Sequence, residues 1–148
     1  MSAEGILKEV FGFDAFRPGQ GEIVEAVIAG HNVLAIMPTG GGKSLCFQLP
    51  ALVREGLTVV ISQLIALMSG QVRGLQEAGV EAHALTSGNT EDESDAAHRA
   101  LFEGRCRLLY IAPERLASSG TERMLRDAGI GLIAVDEAHC VSQWGHDF

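Results

Sequence analysis

The sequence has little of three things: cysteine, basic charge and long apolar runs. Its three cysteines, Cys46, Cys106 and Cys140, are scattered and form no Cys-x-x-Cys pair, so they predict neither a disulfide framework nor a zinc site. Lys and Arg number 11 against 19 Asp and Glu, for a net charge of −8. This balance argues against an extended basic surface, so any contact with nucleic acid is expected to be local.

Apolar runs are all shorter than a membrane-spanning helix, and residues 1–8 lack the apolar stretch of a secretory signal. We therefore expect a soluble, cytoplasmic protein that makes no membrane contact. The five histidines have no carboxylate or cysteine partners at i, i+4 spacing, so they do not predict a metal centre. What remains is ordinary for a globular chain, with 148 residues and 47% hydrophobic content, enough for one domain with a sizeable core.

Glycine is concentrated in the stretch Met37-Pro38-Thr39-Gly40-Gly41-Gly42-Lys43-Ser44. This stretch follows the apolar run at 33–36 and precedes an amphipathic segment at 45–53, so it predicts a turn between a buried strand and a helix. Consecutive glycines let backbone N–H groups wrap an anion, and the helix N-terminus adds its dipole. The stretch therefore predicts a phosphate-binding loop that is formed by Thr39, Gly40, Gly41, Gly42, Lys43 and Ser44.

Two residues of this loop have expected chemical roles. Lys43 would supply a mobile positive charge to the β- and γ-phosphates, and Ser44 would offer its hydroxyl to Mg²⁺. Met37 stands where the motif commonly begins with glycine. The alternative is a glycine-rich turn that precedes Lys-Ser without binding phosphate.

Apolar periodicity along the chain alternates between strand and helix patterns. It predicts helices near 6–11, 18–30, 45–53, 64–79 and 90–104, a mostly helical segment at 113–127, and strands at 33–36, 57–61, 82–85, 107–111 and 132–135. Pro50 is expected to kink the third helix. The alternation implies right-handed crossovers and an α/β fold with a mainly parallel sheet flanked by helices.

An acidic pair, Asp136 and Glu137, follows the last predicted strand. Carboxyl ends of parallel strands line the ligand crevice, so we expect this pair to face the phosphate loop. Asp136 would share Mg²⁺ with Ser44, and Glu137 would orient and deprotonate the water that attacks the γ-phosphate. The alternative is an acidic helix N-terminus after a core strand. The neighbouring His139 is as consistent with packing or coupling as with catalysis.

Four stretches of the sequence combine into one pattern. They are Phe16-Arg17-Pro18-Gly19-Gln20, the phosphate loop followed by Leu45-Cys46-Phe47-Gln48-Leu49-Pro50, Tyr110-Ile111-Ala112-Pro113-Glu114-Arg115-Leu116, and Asp136-Glu137-Ala138-His139-Cys140-Val141-Ser142-Gln143-Trp144-Gly145-His146-Asp147-Phe148. In this combination the chain closely resembles the RecQ family of superfamily 2 DNA helicases. The resemblance implies a RecA-like P-loop NTPase domain, of which residues 1–148 would be most of the first, DEAH-type lobe.

That resemblance also implies an activity and its partners. The expected activity is ATP-driven 3′-to-5′ DNA unwinding in repair and recombination, with ATP and Mg²⁺ as cofactors and single-stranded or partially duplex DNA as the partner. Gln20 would read the adenine edge, with Arg17 and Phe13 packing on the base. The tail would sense single-stranded DNA and couple it to hydrolysis through His139, Ser142, Gln143, Trp144, His146 and Phe148. Without the resemblance, Trp144 is equally an ordinary core or lid aromatic.

The sequence departs from the family pattern at two places. Gln63 stands where the family usually has Pro, and Gly70 where it has Asp, in a segment on the family's DNA path. These two changes bear on how the segment would contact DNA and leave the predicted fold unchanged. The second departure is that Phe148 ends the chain. The family's remaining first-lobe strand and second lobe would be needed in cis, so we expect the isolated chain to be poorly stable and inactive.

Two other functions compete with a helicase part. One is a stand-alone ATP-binding or regulatory module that does not unwind DNA. Reading the gene beyond Phe148 would separate this alternative from the helicase. The other is a different P-loop NTPase, such as a small-molecule kinase, against which the run from Asp136 through His146 argues strongly.

Overall fold

The computed structural model describes residues 3–30, 44–54, 56–62 and 64–135. These residues divide into two compact units at the junction between Glu55 and Gly56. The predicted strand at 33–36, the phosphate loop up to Lys43, Gln63 and all residues after Val135 lie outside the described residues.

The first unit is built from three helices, α1 (Ala3–Glu9), α2 (Gln20–Ile28) and α3 (Leu45–Val53). Helix α3 packs against both of the others, and the core between them contains the fully buried side chains Leu7, Val24 and Leu49. All three helices were predicted from apolar periodicity and are confirmed. Helix α3 continues past Pro50 to Val53, and the expected kink there stays a prediction.

The second unit is a parallel sheet of four strands. These are β1 (Leu57–Ile61), β2 (Ala82–Leu85), β3 (Leu108–Ile111) and β4 (Ile130–Val135), in the order β2-β3-β1-β4. Every described pair is parallel. The β1 and β3 side chains are buried throughout, as expected for strands covered on both faces. The predicted parallel sheet is therefore confirmed.

Helices α4 (Ile65–Glu77), α5 (Glu91–Phe102), α6 (Pro113–Leu116) and α7 (Ser119–Ala128) accompany the sheet. Side chains of α5 and α7 form one core with Val59 of β1 and Leu109 of β3. Because strand residues alternate between faces, Tyr110 points to the opposite face, where its hydroxyl contacts α4. Helices thus flank both faces. Among the described helices, none combines the length and apolar character that a transmembrane segment needs.

The segment at 113–127 was predicted to be mostly helical, and this is confirmed. The segment forms α6 and α7, and Ser118 between them caps α7 by accepting a hydrogen bond from the Thr121 N–H at 3.2 Å. A serine hydroxyl at this position competes with helix continuation because it satisfies an N–H group of the next helix.

Helix α5 begins with a capping box. The Thr90 hydroxyl accepts from the Glu93 N–H at 3.1 Å, and the Glu93 carboxylate accepts from the Thr90 N–H at 2.8 Å. These bonds lower the pKa of Glu93.

We predict that Thr90→Ala lowers the free energy of opening of α5 by about 1 kcal/mol. Amide hydrogen exchange of that helix measures the change. Thr90→Ser keeps the hydroxyl and should exchange like the parent, so equal protection in the Ala variant would contradict the role.

Candidate functional site

Gln20 begins α2 and is held by a pair of reciprocal bonds with Arg17. The Gln20 Oε1 accepts from the Arg17 N–H at 3.0 Å, and the Gln20 N–H donates to the Arg17 carbonyl at 3.0 Å. Gly19 precedes them with φ 80, in the left-handed region that glycine adopts without steric cost. Gln20 is 3% exposed. Its amide is therefore fixed in direction by the turn that starts the helix.

Phe13 and Arg17, the two residues expected to pack on a base, lie in the same segment before α2. Phe13 is 50% exposed, and Arg17 is also exposed. Phe16, between them in sequence, packs against Gly21, where an added Cβ would be 3.2 Å from the Phe16 ring. The structure brings Arg17 and Gln20 into contact and leaves a Phe13 ring face available for stacking.

Ser44 is the one residue of the predicted phosphate loop within the described part of the chain. It is the N-cap of α3, and its carbonyl accepts from the Phe47 and Gln48 N–H groups at 3.2 and 2.9 Å. Its side chain makes no capping hydrogen bond in the described structure. A hydroxyl at a helix N-terminus that is not used as a cap fits the predicted role towards Mg²⁺ and phosphate. Thr39, Gly40, Gly41, Gly42 and Lys43 lie outside the described residues.

In the second unit, the four strands end in one row. Ile61 pairs with Ile111 and with Val135, and Ile111 pairs with Leu85. This carboxyl edge is where open α/β sheets bind ligands. In sequence, Asp136 and Glu137 directly follow Val135 at this edge. They and the tail residues His139, Ser142, Gln143, Trp144, His146 and Phe148 lie outside the described residues, and their roles stay predictions.

The turn after β2 is an ordered part of the carboxyl edge that the sequence analysis missed. The Thr86 hydroxyl accepts from the Gly88 N–H and donates to Asn89 Oδ1, both at 3.1 Å, while Asn89 Nδ2 donates to the Ala84 carbonyl at 2.6 Å. Gly88 lies against α4, where an added Cβ would be 3.1 Å from Ile65. This turn could have been predicted from Ser87-Gly88-Asn89, because these residue types favour turns.

Several perturbed titratable groups lie away from this edge. Glu81 precedes β2, and its pKa is lowered by a hydrogen bond with His83 and by Arg105, whose guanidinium is 2.9 Å away. Burial raises the pKa of the Cys106 thiol to about 12. The thiol is thus unreactive at neutral pH. The contacts of Glu81 with His83 and Arg105 join the amino ends of β2 and β3.

Residues 17–148 match the family described as DEAD/DEAH box helicase. The chain belongs to this family. Its Asp136-Glu137-Ala138-His139 is the DEAH form of the sequence for which the DEAD/DEAH box helicases are named.

The chain is also similar to curated helicases that are much longer. It is 46% identical over 147 residues to the ATP-dependent DNA helicase RecQ of Haemophilus influenzae and 49% identical to that of Bacillus subtilis, covering 99% of this chain. The chain spans 24% and 25% of the lengths of those relatives. It is 44% identical over 151 residues to the ATP-dependent helicase SGS1 of Saccharomyces cerevisiae. The predicted resemblance to RecQ helicases is confirmed.

Among solved structures, the fold matches a hypothetical ATP-dependent RNA helicase from Sulfolobus tokodaii. The TM-score is 0.74, with 18% sequence identity, over 97% of this chain and 43% of that one. At this identity the likeness shows the fold alone. It confirms the RecA-like α/β fold that was predicted.

Proposed function

We propose that the protein containing this chain is a RecQ-type, ATP-dependent DNA helicase, and that residues 1–148 supply its ATP-binding lobe. The observation that carries the proposal is 46–49% identity over 147 residues to helicases named RecQ. The ordered carboxyl edge of the sheet and the fixed amide of Gln20 support it. A second lobe of the same polypeptide would contribute a cation to the γ-phosphate. A cytoplasmic location is part of the proposal and rests on composition.

In this proposal, Gln20 recognises adenine. An amide held by the Arg17 N–H at 3.0 Å presents its donor and acceptor in set directions, as bidentate pairing with the adenine edge requires. The guanidinium of Arg17 and the exposed ring of Phe13 offer flat faces to the base. The nucleotide is therefore expected to be ATP rather than GTP.

The remaining roles concern the phosphates. Lys43 and the N–H groups of the loop would bind the β- and γ-phosphates, and the hydroxyl of Ser44 and carboxylate of Asp136 would hold Mg²⁺. The metal ion supplies charge neutralisation on the phosphate oxygens when bound. Glu137 would orient the attacking water and accept its proton.

The proposed function is tested on the complete gene product, with whatever its gene encodes beyond Phe148. We expect ATP hydrolysis to be stimulated by single-stranded DNA, and a partial duplex with a 3′ tail to be unwound in preference to one with a 5′ tail. Lys43→Ala is the inactive control. ATP binding without DNA-stimulated turnover would favour a regulatory module instead, and stimulation by a small-molecule acceptor would favour a kinase.

We predict that Gln20→Glu weakens the discrimination of ATP from GTP by roughly tenfold or more. Glutamate keeps the oxygen that accepts from the Arg17 N–H but lacks the amide donor for adenine. The measurement is the ratio of kcat/KM for the two nucleotides. Glu22→Gln, a change of the same size on the exposed first turn of α2, is the control. An unchanged ratio in Gln20→Glu would show that Gln20 does not read the base.

A further inference from the structure

Helix α4 buries few side chains for its length. Of its 13 residues, Met68 and Leu75 are the buried ones. Gly70 and Gly74 leave open space where a Cβ would be, and each glycine lowers helix propensity. The N-cap, Leu64, makes no side-chain capping bond in the described structure. The orientation of α4 therefore depends on a few specific contacts.

The first turn of α4 lies at the carboxyl edge of the sheet. It follows the end of β1, where the Ser62 hydroxyl accepts from the Leu64 N–H at 3.2 Å, and Ile65 lies against Gly88 of the turn after β2. Leu64 is 47% exposed and Leu67 39% exposed. Residues 64–72 contain no charged side chain in a chain of net charge −8. No carboxylate in this stretch would therefore repel the phosphates of a ligand at this end of the sheet.

Within the described part of the chain, side chains of α4 hydrogen-bond to the sheet at two different levels. The hydroxyl of Tyr110, a residue 1% exposed on β3, donates to Gln71 Oε1 at 2.7 Å. Gln76 Nε2 donates to the carbonyl of Ala82 at 2.8 Å. Ala82 begins β2 at the amino edge, whereas Tyr110 is next to the last residue of β3 at the carboxyl edge. The first bond therefore lies close to the ligand edge, and the second lies one to two turns of α4 further away.

We propose that Tyr110 and Gln71 form a positioning pair that fixes how α4 presents its first turn to DNA. This inference rests on the proposed helicase function. The pair acts by orientation: it holds the helix at the level of Gln71, so that Leu64 and Leu67 keep their place at the carboxyl edge. Weakening it lets α4 shift and reduces DNA affinity, while the chemistry of ATP hydrolysis is unaffected.

The test uses the complete gene product and three variants, Tyr110→Phe, Gln71→Met and the double variant. The readouts are the basal ATPase rate, kcat at saturating single-stranded DNA, KM for ATP, and the DNA concentration that gives half-maximal stimulation. Each single variant should raise that DNA concentration by roughly fivefold, the ratio expected for one net hydrogen bond. The rise in the double variant should be smaller than the two single effects combined, because both changes remove the same bond. The basal rate, kcat and KM for ATP should stay unchanged.

Gln76→Met is the matched control, since it removes the α4 bond to Ala82 but not the one at the ligand edge. It should leave half-saturation by DNA unchanged. An equal rise in this variant would show that any loss of α4 stability weakens DNA binding, and it would overturn the proposal.

A rise in Gln71→Met without one in Tyr110→Phe would mean that Gln71 contacts DNA itself. A change in KM for ATP alone would mean that the pair acts on nucleotide binding instead. If Gln71→Met does not fold, Tyr110→Phe decides. Absence of DNA stimulation in the parent would instead refute the proposed function.

Discussion

Replacing Glu137 with glutamine is expected to lower ATP turnover by the complete gene product by roughly 10²- to 10⁴-fold, the usual contribution of a general base. Glutamine keeps the size of the side chain but cannot accept the proton of the attacking water. Lys43, Ser44 and Asp136 are unchanged, so ATP and Mg²⁺ should still bind. The measurements are steady-state hydrolysis at saturating ATP and single-stranded DNA, together with equilibrium binding of a fluorescent ATP analogue.

The control for this prediction is Glu77→Gln, the same chemical change at an exposed position in the last turn of α4. It should leave turnover and binding within experimental error of the parent. Lys43→Ala provides the opposite comparison, because it should weaken nucleotide binding as well as turnover. A Glu137→Gln variant that retains turnover within a few-fold would show that another group activates the water, and the DEAH assignment of roles would be wrong.

The strands were predictable because their signals are local. The β-branched run of β1 directly follows Gly56, and the short apolar run of β2 lies between Gly79 and Gly88. Parallel pairing follows from the helices between the strands. Strand order was not predictable in the same way. The arrangement β2-β3-β1-β4 depends on where each crossover helix packs, and no short segment encodes that.

The candidate site was likewise predictable only in part. The phosphate-loop pattern predicted Ser44 as a ligand residue, and the resemblance to RecQ helicases implied Gln20. The structure adds that a hydrogen bond from the Arg17 N–H holds the Gln20 side chain. The bond between Tyr110 and Gln71 could not be predicted, because the two residues are 39 positions apart and meet only after β3 and α4 have packed. Buried polar pairs between elements depend on side-chain rotamers, which sequence periodicity does not determine.

Gly56→Ala is predicted to lower the free energy of unfolding by about 2–5 kcal/mol. Gly56 has φ +91, and a Cβ there would be 3.2 Å from the Gly129 carbonyl oxygen and the Gly131 nitrogen. The left-handed conformation costs an ordinary L-residue about 1–2 kcal/mol, and overpacking against rigid backbone adds about 1–3 kcal/mol. Denaturant unfolding followed by circular dichroism measures the change.

Gly104→Ala separates these two contributions. Gly104 has φ +73 but nothing within 4 Å of an added Cβ, so only the conformational cost applies. Equal destabilisation by the two variants would contradict the predicted backbone clash.

If Gly56→Ala is the more destabilising variant, it should also lower activity. The neighbouring Leu57 N–H donates to the Gly129 carbonyl at 3.1 Å, and Leu57 begins the β1–β4 pairing. A shift of β4 there would move the strand end that precedes Asp136 and Glu137, so we expect turnover to fall even where the protein remains folded.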